Sequence, residues 1–374
     1  MKILNIMTSD LNYNGVATVL LNYYNYIDCK DIQLDYLVPN KVDKELKEIF
    51  TRKGNKIFEL YYHGKKMHQR RPVMYCIKLY KIIKENKYDV VHAHGSSSML
   101  FLQLLTAKFA GIKVRIAHSH NTQSDFKVLH YLFKPLFKLS YTDAFACGTD
   151  AGKWLFGKNK KMLIIPNGKD SAIFSFKQDE RIKYRKKYNL ENKVVLGHVG
   201  VFNYQKNHDF LIEIFRKLNR ESNKYFLILI GTGDFENTIK DKVKKYNLEN
   251  NVLFLGQISP EKTANILNAM DIMLFPSRFE GFPNVLIEWQ MNGLPCIISD
   301  KITREVKMTD LVYFESIDSI DNWINRVKKI KKLDRNLIKD NVIQLVKKSG
   351  FDIKDNAKML EKEYLKLYEE KCNN

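Results

Sequence analysis

The sequence predicts an α/β protein built from two doubly wound parallel sheets, and three observations carry that prediction. Its 374 residues are about twice a usual single-domain length, so two hydrophobic cores are expected. Short apolar runs rich in β-branched and aromatic residues alternate with longer helical patterns along the whole chain, which is the signature of parallel strands buried on both faces. The rhythm breaks at the turn Asn167-Gly168 and the charged stretch from Lys177 to Asn192, leaving two sets of strands of similar size.

In the first set, strands are predicted at Lys2 to Met7, Gln33 to Val38, Asp89 to His92, Val114 to His118, Ala144 to Cys147 and Met162 to Ile165. Helices between them include Pro72 to Glu85 and Met99 to Ala110. In the second set, strands are predicted at Val194 to Val199, Tyr225 to Ile230, Val252 to Leu255, Ile272 to Phe275, Cys296 to Ser299 and Leu311 to Phe314. The domains are expected at 1–175 and 193–350, with an amphipathic helix at 351–374 returning to the first domain. Open sheets bind ligands at the carboxyl ends of their strands, so two such domains are expected to face a cleft lined by the residues that follow strands.

Composition narrows the function classes. Hydrophobic residues make up 45% and charged residues 28%, the balance of a folded soluble chain. Lys and Arg total 62 against 42 Asp and Glu, a net charge of +20 that favours anionic partners. No helix-turn-helix, zinc-finger or ribonucleoprotein pattern accompanies the charge, which argues against nucleic acid. The five cysteines are scattered and never spaced as C-x-x-C, as in a reducing compartment, and no apolar run approaches the roughly 20 residues of a bilayer span. The expected location is the cytoplasm, at most peripheral on the inner face of the membrane.

The most specific chemistry follows the strand Ile272 to Phe275. There Pro276-Ser277-Arg278-Phe279-Glu280-Gly281-Phe282-Pro283-Asn284 leads into an apolar helix containing Glu288. If Asn284 caps that helix, its free amides and dipole make a seat for phosphate without a metal. Gly281 lets backbone approach a ligand, and Glu280 and Glu288 can accept hydrogen bonds from a sugar and from a ribose diol. Spacing alone equally allows two solvated glutamates beside an ordinary helix start. His92-Ala93-His94 and His118-Ser119-His120 offer four imidazoles; with Asp125 or Asp143 they are the sharper alternative, a metallohydrolase site.

Glu280 to Glu288, in the setting E-G-F-P-N-V-L-I-E, resembles the E-x7-E motif of glycosyltransferase family 4, retaining nucleotide-sugar enzymes of GT-B fold. Asn12-Tyr13-Asn14-Gly15-Val16 resembles the family's glycine-rich first loop, His118 to Thr122 its histidine segment, and Ile165-Pro166-Asn167-Gly168 its pre-linker turn. Gly200 to His208, Gly231-Thr232-Gly233 and Leu255-Gly256 resemble stations of its donor domain. The resemblance is closest to members that build capsular polysaccharide, exopolysaccharide or teichoic-type glycans.

The resemblance implies a hexose or N-acetylhexosamine moved from a UDP-sugar to a lipid-linked or growing glycan, with no metal or other cofactor. It implies that Glu280 holds the transferred sugar, Glu288 the ribose, Lys206 the diphosphate and His118 the sugar near its sixth carbon. Gly15, Gly256, Arg278, Gly281, Phe282, Pro283 and Asn284 would surround the donor. The family's G-R-x-x-x-x-K segment reads Gly200-Val201-Phe202-Asn203-Tyr204-Gln205-Lys206 here, so Val201 replaces a phosphate-binding arginine, and Arg278 is the candidate to compensate. That departure keeps a weak or silent subunit of a polysaccharide assembly complex open, beside a nucleotide-sugar epimerase of similar fold. The basic and aromatic stretch from Tyr61 to Arg71 resembles a segment that approaches an anionic membrane.

Overall fold

A computed structural model of the chain describes residues 1–11, 15–27, 30–124 and 127–372. The chain divides into two compact units, Met1–Gly168 joined by the helix Ile353–Cys372, and Lys169–Asp352. The first unit contains β1 (Lys2–Met7), β2 (Gln33–Val38), β3 (Ile57–Glu59), the hairpin β4 (Tyr61–Tyr62) and β5 (Lys65–Lys66), β6 (Val90–His94), β7 (Val114–Ser119), β8 (Asp143–Ala146) and β9 (Leu163–Ile164). The second contains β10 (Val194–Val199), β11 (Tyr225–Ile230), β12 (Val252–Phe254), β13 (Ile272–Phe275), β14 (Cys296–Ser299) and β15 (Val312–Glu315).

Each unit is organised around one parallel sheet, ordered β3-β2-β1-β6-β7-β8-β9 in the first and β12-β11-β10-β13-β14-β15 in the second. Strand order reverses between β1 and β6, and again between β10 and β13, so each sheet has a switch point at the carboxyl ends of those strands. Side chains alternate across the sheet, which gives each unit two cores. On one face of the first sheet Ile3, Tyr36, Val90 and Val114 pack with Tyr24 and Phe50; on the other, Leu4, Ile6, Val91 and Ala93 pack with Leu79 and Leu104. The returning helix buries Ile353, Ala357, Leu360, Tyr364 and Leu367, steps of four and three that form one helical stripe, and it rests on the helix Gly15–Tyr26 and on β7.

Three local features sharpen the sequence reading. The junction falls at the Asn167-Gly168 turn, between Gly168 and Lys169, and the charged stretch that follows forms the helix Gln178–Lys187 of the second unit. Its Arg181 and Arg185 reach the carboxylate of Asp271, at 2.5 and 3.1 Å, so a run of cations that reads as linker is tied to the foot of β13. The basic and aromatic stretch from Tyr61 to Arg71 forms the β4/β5 hairpin followed by the short helix Met67–Arg70. The edge strand β3, three residues long, is too short to show a sequence period.

Candidate active site

In the second unit the residues of interest sit on loops at the carboxyl ends of β10, β11 and β13. Two glycines let the first two loops meet. Gly231 (φ +135) would place a Cβ 2.0 Å from the carbonyl oxygen of Gly200, and Gly233 (φ +158) would place one 2.5 Å from that of Phe202. Between them the amide of Phe202 donates to Thr232 at 3.0 Å. Phe202 is thereby buried against the ring of His208, 4.0 Å between centroids, whereas Val201 beside it is 54% exposed.

The same loop delivers Lys206. Asn203 Oδ1 accepts from the Lys206 amide at 3.0 Å, Asn207 turns the chain in a left-handed conformation (φ 57), and its side-chain amide donates to Pro276 O at 3.2 Å. That clasp ties the loop after β10 to the loop after β13, and Lys206 Nζ lies 2.7 Å from Glu280 Oε1 and 4.5 Å above the ring of Phe275. Arg278 lies flat on Tyr204, 4.2 Å from the ring centroid, and donates to the Tyr204 carbonyl, so it is a second cation fixed to the loop of Val201.

Glu288 is buried on the helix Val285–Met291 and forms an ion pair with Lys169. Lys169 is 2% exposed and follows the Asn167-Gly168 turn. The sequence reading missed it; its only signal is a lysine directly after a turn, and its partner is 119 residues away. Asn284 does not cap the helix as anticipated: it is itself in the helical conformation and makes no side-chain cap bond. The amides of Leu286 and Ile287 already donate to Pro283 and Asn284, so the helix start offers fewer free donors than its sequence suggests. Of the remaining donor residues, Gly256 has φ +65, and its carbonyl accepts from Gly231 at 2.9 Å. Phe282 stacks on Phe351 at 5.0 Å, Pro283 is buried, and Gly281 is not among the glycines of positive φ.

The first unit holds the histidines. Gly15 opens the helix after β1, while Asn12, Tyr13, Asn14 and Asp125 lie outside the described residues. Because β6 and β7 are parallel with His94 opposite His118, the two H-x-H segments put four imidazoles on one face. His92 Nε2 is 3.1 Å from His118 Nδ1, and His94 Nδ1 is 3.0 Å from His120 Nε2. Ring nitrogens of His92, His94 and His118 lie within 4.8 Å of one another, a donor set a divalent metal could use. Asp143 does not complete it: it starts β8, accepts from Thr142 at 2.6 Å and pairs with Lys371.

Burial, reinforced by the neighbouring rings, holds His92, His94 and His118 well below the ordinary imidazole value of 6.5, and burial brings His120 down to about 4. These groups stay neutral in the folded chain but take up protons when unfolded. Stability is therefore full above about pH 6.5 and is lost as the pH falls from there toward 4. The melting temperature of the protein is expected to drop between pH 6.5 and 5, above the range where carboxylates titrate; a flat profile over that interval would contradict the neutral cluster.

A cavity of about 710 Å³ opens at the carboxyl ends of β1, β6 and β7, lined among others by Thr8, Lys66, Arg70, Ser97, Gln103 and Leu129.

Comparison with known proteins places these sites in a family. Residues 180–343 match the model of glycosyl transferases group 1, and residues 13–172 that of glycosyltransferase family 4. A Bacillus subtilis (strain 168) protein named "Putative glycosyltransferase EpsF" is 30% identical over 95% of this chain and 94% of its own length. An Escherichia coli enzyme named UDP-Gal:alpha-D-GlcNAc-diphosphoundecaprenol alpha-1,3-galactosyltransferase is 29% identical over 60% of this chain and 61% of its own. Among solved structures, HepE of Anabaena in complex with UDP and glucose superposes with a TM-score of 0.77 at 17% identity, over 98% of this chain and all of that one, a likeness of fold. The chain belongs to glycosyltransferase family 4 and has its GT-B architecture.

Proposed function

We propose that this protein is a retaining glycosyltransferase that moves a hexose or N-acetylhexosamine from a UDP-sugar to a lipid-linked or growing cell-surface glycan, with no metal in the step. The observation that carries the reading is the pair of buried acids, each held by its own lysine: Glu280 with Lys206 and Glu288 with Lys169. Cleaving the sugar–phosphate bond leaves charge on the diphosphate, and only contacts that strengthen as that charge develops speed the step. Lys206 receives it, with Arg278 as the second cation, while Glu280 holds the sugar and Glu288 the ribose. Retention is taken from the family, and the acceptor hydroxyl is positioned on the face of the sugar that the leaving group vacates. UDP and a diphosphate-lipid acceptor are what the E. coli relative's name specifies for that enzyme.

Pure protein incubated with UDP-sugars and a diphosphate-lipid acceptor is expected to release UDP. Conversion of the sugar without UDP release would make it an epimerase, and neither change would make it a silent partner. Val201→Arg, at an exposed position with room for the side chain, is expected to raise that release about tenfold by adding one charge-assisted contact. An unchanged rate means that Arg278 already meets the charge.

The lipid-linked acceptor and a peripheral place on the inner membrane face are supported by the surface of the first unit. Although no described helix is long and apolar enough to cross a membrane, the helices Lys127–Leu132 and Lys134–Lys138, with Leu139 just after the second, turn Val128, Tyr131, Leu132, Leu136 and Leu139 to solvent. Lys127, Lys134 and Lys138 stand among them, and no carboxylate occurs from Lys127 to Thr142. An apolar ridge whose own sequence carries lysines and no carboxylate fits an anionic bilayer. The chain is expected to sediment with phosphatidylglycerol vesicles and not with phosphatidylcholine, and Leu132→Glu with Leu136→Glu to abolish it. Sedimentation of that variant at the wild-type level would remove the ridge from the account.

A further inference from the structure

A second cavity, of about 320 Å³, lies at the amino ends of β10, β11, β13 and β14, the end of the second sheet opposite the loops that carry Lys206 and Glu280. Three arginines line it. Arg335, which opens the helix Arg335–Lys348, is 5% exposed and donates to Asn292 Oδ1 at 2.6 Å and to the carbonyls of Asn268 and Met270 at 2.5 and 3.0 Å. Arg185, 9% exposed, donates to the carbonyls of Ala269, Leu190 and Lys193 at 3.0, 2.5 and 2.6 Å. Arg181 donates to those of Asn268 and Met270 at 2.9 and 3.0 Å. They gather the carbonyls of the turn that ends the helix Pro260–Leu267, which is the structural reason for their burial.

Hydrogen bonds to carbonyls satisfy the donors of these guanidinium groups and leave their charge unmatched. Asp271 pairs with Arg181 at 2.5 Å and with Arg185 at 3.1 Å, and among the described residues no carboxylate pairs with Arg335. Burial, and then the Arg181 guanidinium, draw Arg335 well below its ordinary value, with Asp271 opposing them. An arginine keeps its proton inside a protein, so the imbalance stands as positive charge. At the rim it grows. Lys193, Lys224, Lys331 and Lys332 also line the cavity, and none pairs with a carboxylate among the described residues. Seven cations therefore face two lining carboxylates, Asp271 and the exposed Glu191. Val194, Ile272, Pro295 and Ile330 supply apolar wall, and low-dielectric walls around charge of one sign concentrate its field. A volume of this size suits a small ligand.

We infer that this cavity binds a phosphate group, at a site separate from the one proposed for the departing diphosphate at Lys206. The lysines, each with three rotatable donors, close on the phosphate oxygens, while the arginines, their donors largely spent on carbonyls, supply a fixed positive field behind them. The phosphate is carried by a free compound or by a lipid headgroup. The inference does not rest on the transferase reading.

The test is calorimetric titration of the full chain with inorganic pyrophosphate, without divalent metal, at about 0.15 M salt, where exposed charges are screened beyond roughly 8 Å. Lys331→Glu with Lys332→Glu, both exposed, is expected to weaken one binding event about tenfold or more. That event is expected to persist in Lys206→Ala, and in Lys158→Glu with Lys161→Glu, an equal reversal of charge on exposed lysines of the first unit. No event weakened by the Lys331 and Lys332 changes, an equal weakening by the Lys158 and Lys161 changes, or loss of the same event in Lys206→Ala would overturn the site. Displacement of the bound pyrophosphate by phosphatidylglycerol vesicles would place a lipid headgroup there, and its retention in their presence a free phosphorylated compound. Absence of UDP release from a wild type that shows this event would defeat the transferase reading alone.

Discussion

Glu280→Ala lowers turnover by about a hundred- to a thousand-fold, the scale of losing one preorganised polar group at a reacting centre, and leaves UDP affinity intact or slightly tighter. The asymmetry follows from the ion pair. Lys206 Nζ is 2.7 Å from the Glu280 carboxylate, so a diphosphate on that lysine and the glutamate compete for one ammonium. Removing the glutamate frees the lysine for phosphate while deleting the group that holds the sugar. Glu288→Ala behaves in the opposite sense and weakens UDP itself, because its proposed ligand is the ribose. Steady-state rates and calorimetric titration of UDP read the two effects separately, and near-normal behaviour of both variants removes the site assignment.

Lys169→Ala costs about 3 to 5 kcal/mol of stability, the usual consequence of leaving one member of a buried ion pair without its counter-charge. Lys169 is 2% exposed and the Glu288 side chain 11%, so water cannot take the place of the missing ammonium. Lys169→Met combined with Glu288→Gln removes both charges together and is expected to recover most of the loss. The double variant should fold but bind UDP poorly, which separates the structural share of the pair from its share in ligand binding. Urea denaturation of the single and double variants measures this, and a Lys169→Ala change within about 0.5 kcal/mol, the range of an ordinary surface substitution, would contradict the account.

The parts of the molecule legible in the sequence are those with a local period or a local motif. Long strands such as β10 and β11 announce themselves as continuous apolar runs, and the stripe of the returning helix is written in steps of three and four. Two H-x-H segments on neighbouring parallel strands share a face because side chains alternate, so the grouping of His92, His94, His118 and His120 is also foreseeable. What stayed hidden depends on partners distant in sequence. Nothing near Lys169 names Glu288, and nothing near His92 names Tyr364, whose hydroxyl lies 2.6 Å from its Nδ1 although 272 residues away. The charged helix Gln178–Lys187 reads as a linker because the acid that anchors it, Asp271, belongs to another strand. Asn284 misleads in the other direction: its residue type suits a cap, but the backbone has already turned helical there and the amides of Leu286 and Ile287 are spent on the carbonyls of Pro283 and Asn284.

The central claim is that a departing nucleoside diphosphate is received by Lys206 beside Glu280 in the second unit. A crystal of the protein soaked with UDP measures it most directly. The account predicts phosphate oxygens within hydrogen-bond distance of Lys206 Nζ, and the ribose hydroxyls on the Glu288 carboxylate. UDP bound away from both residues, or its diphosphate seated on a divalent ion held by His92, His94 and His118, would contradict it.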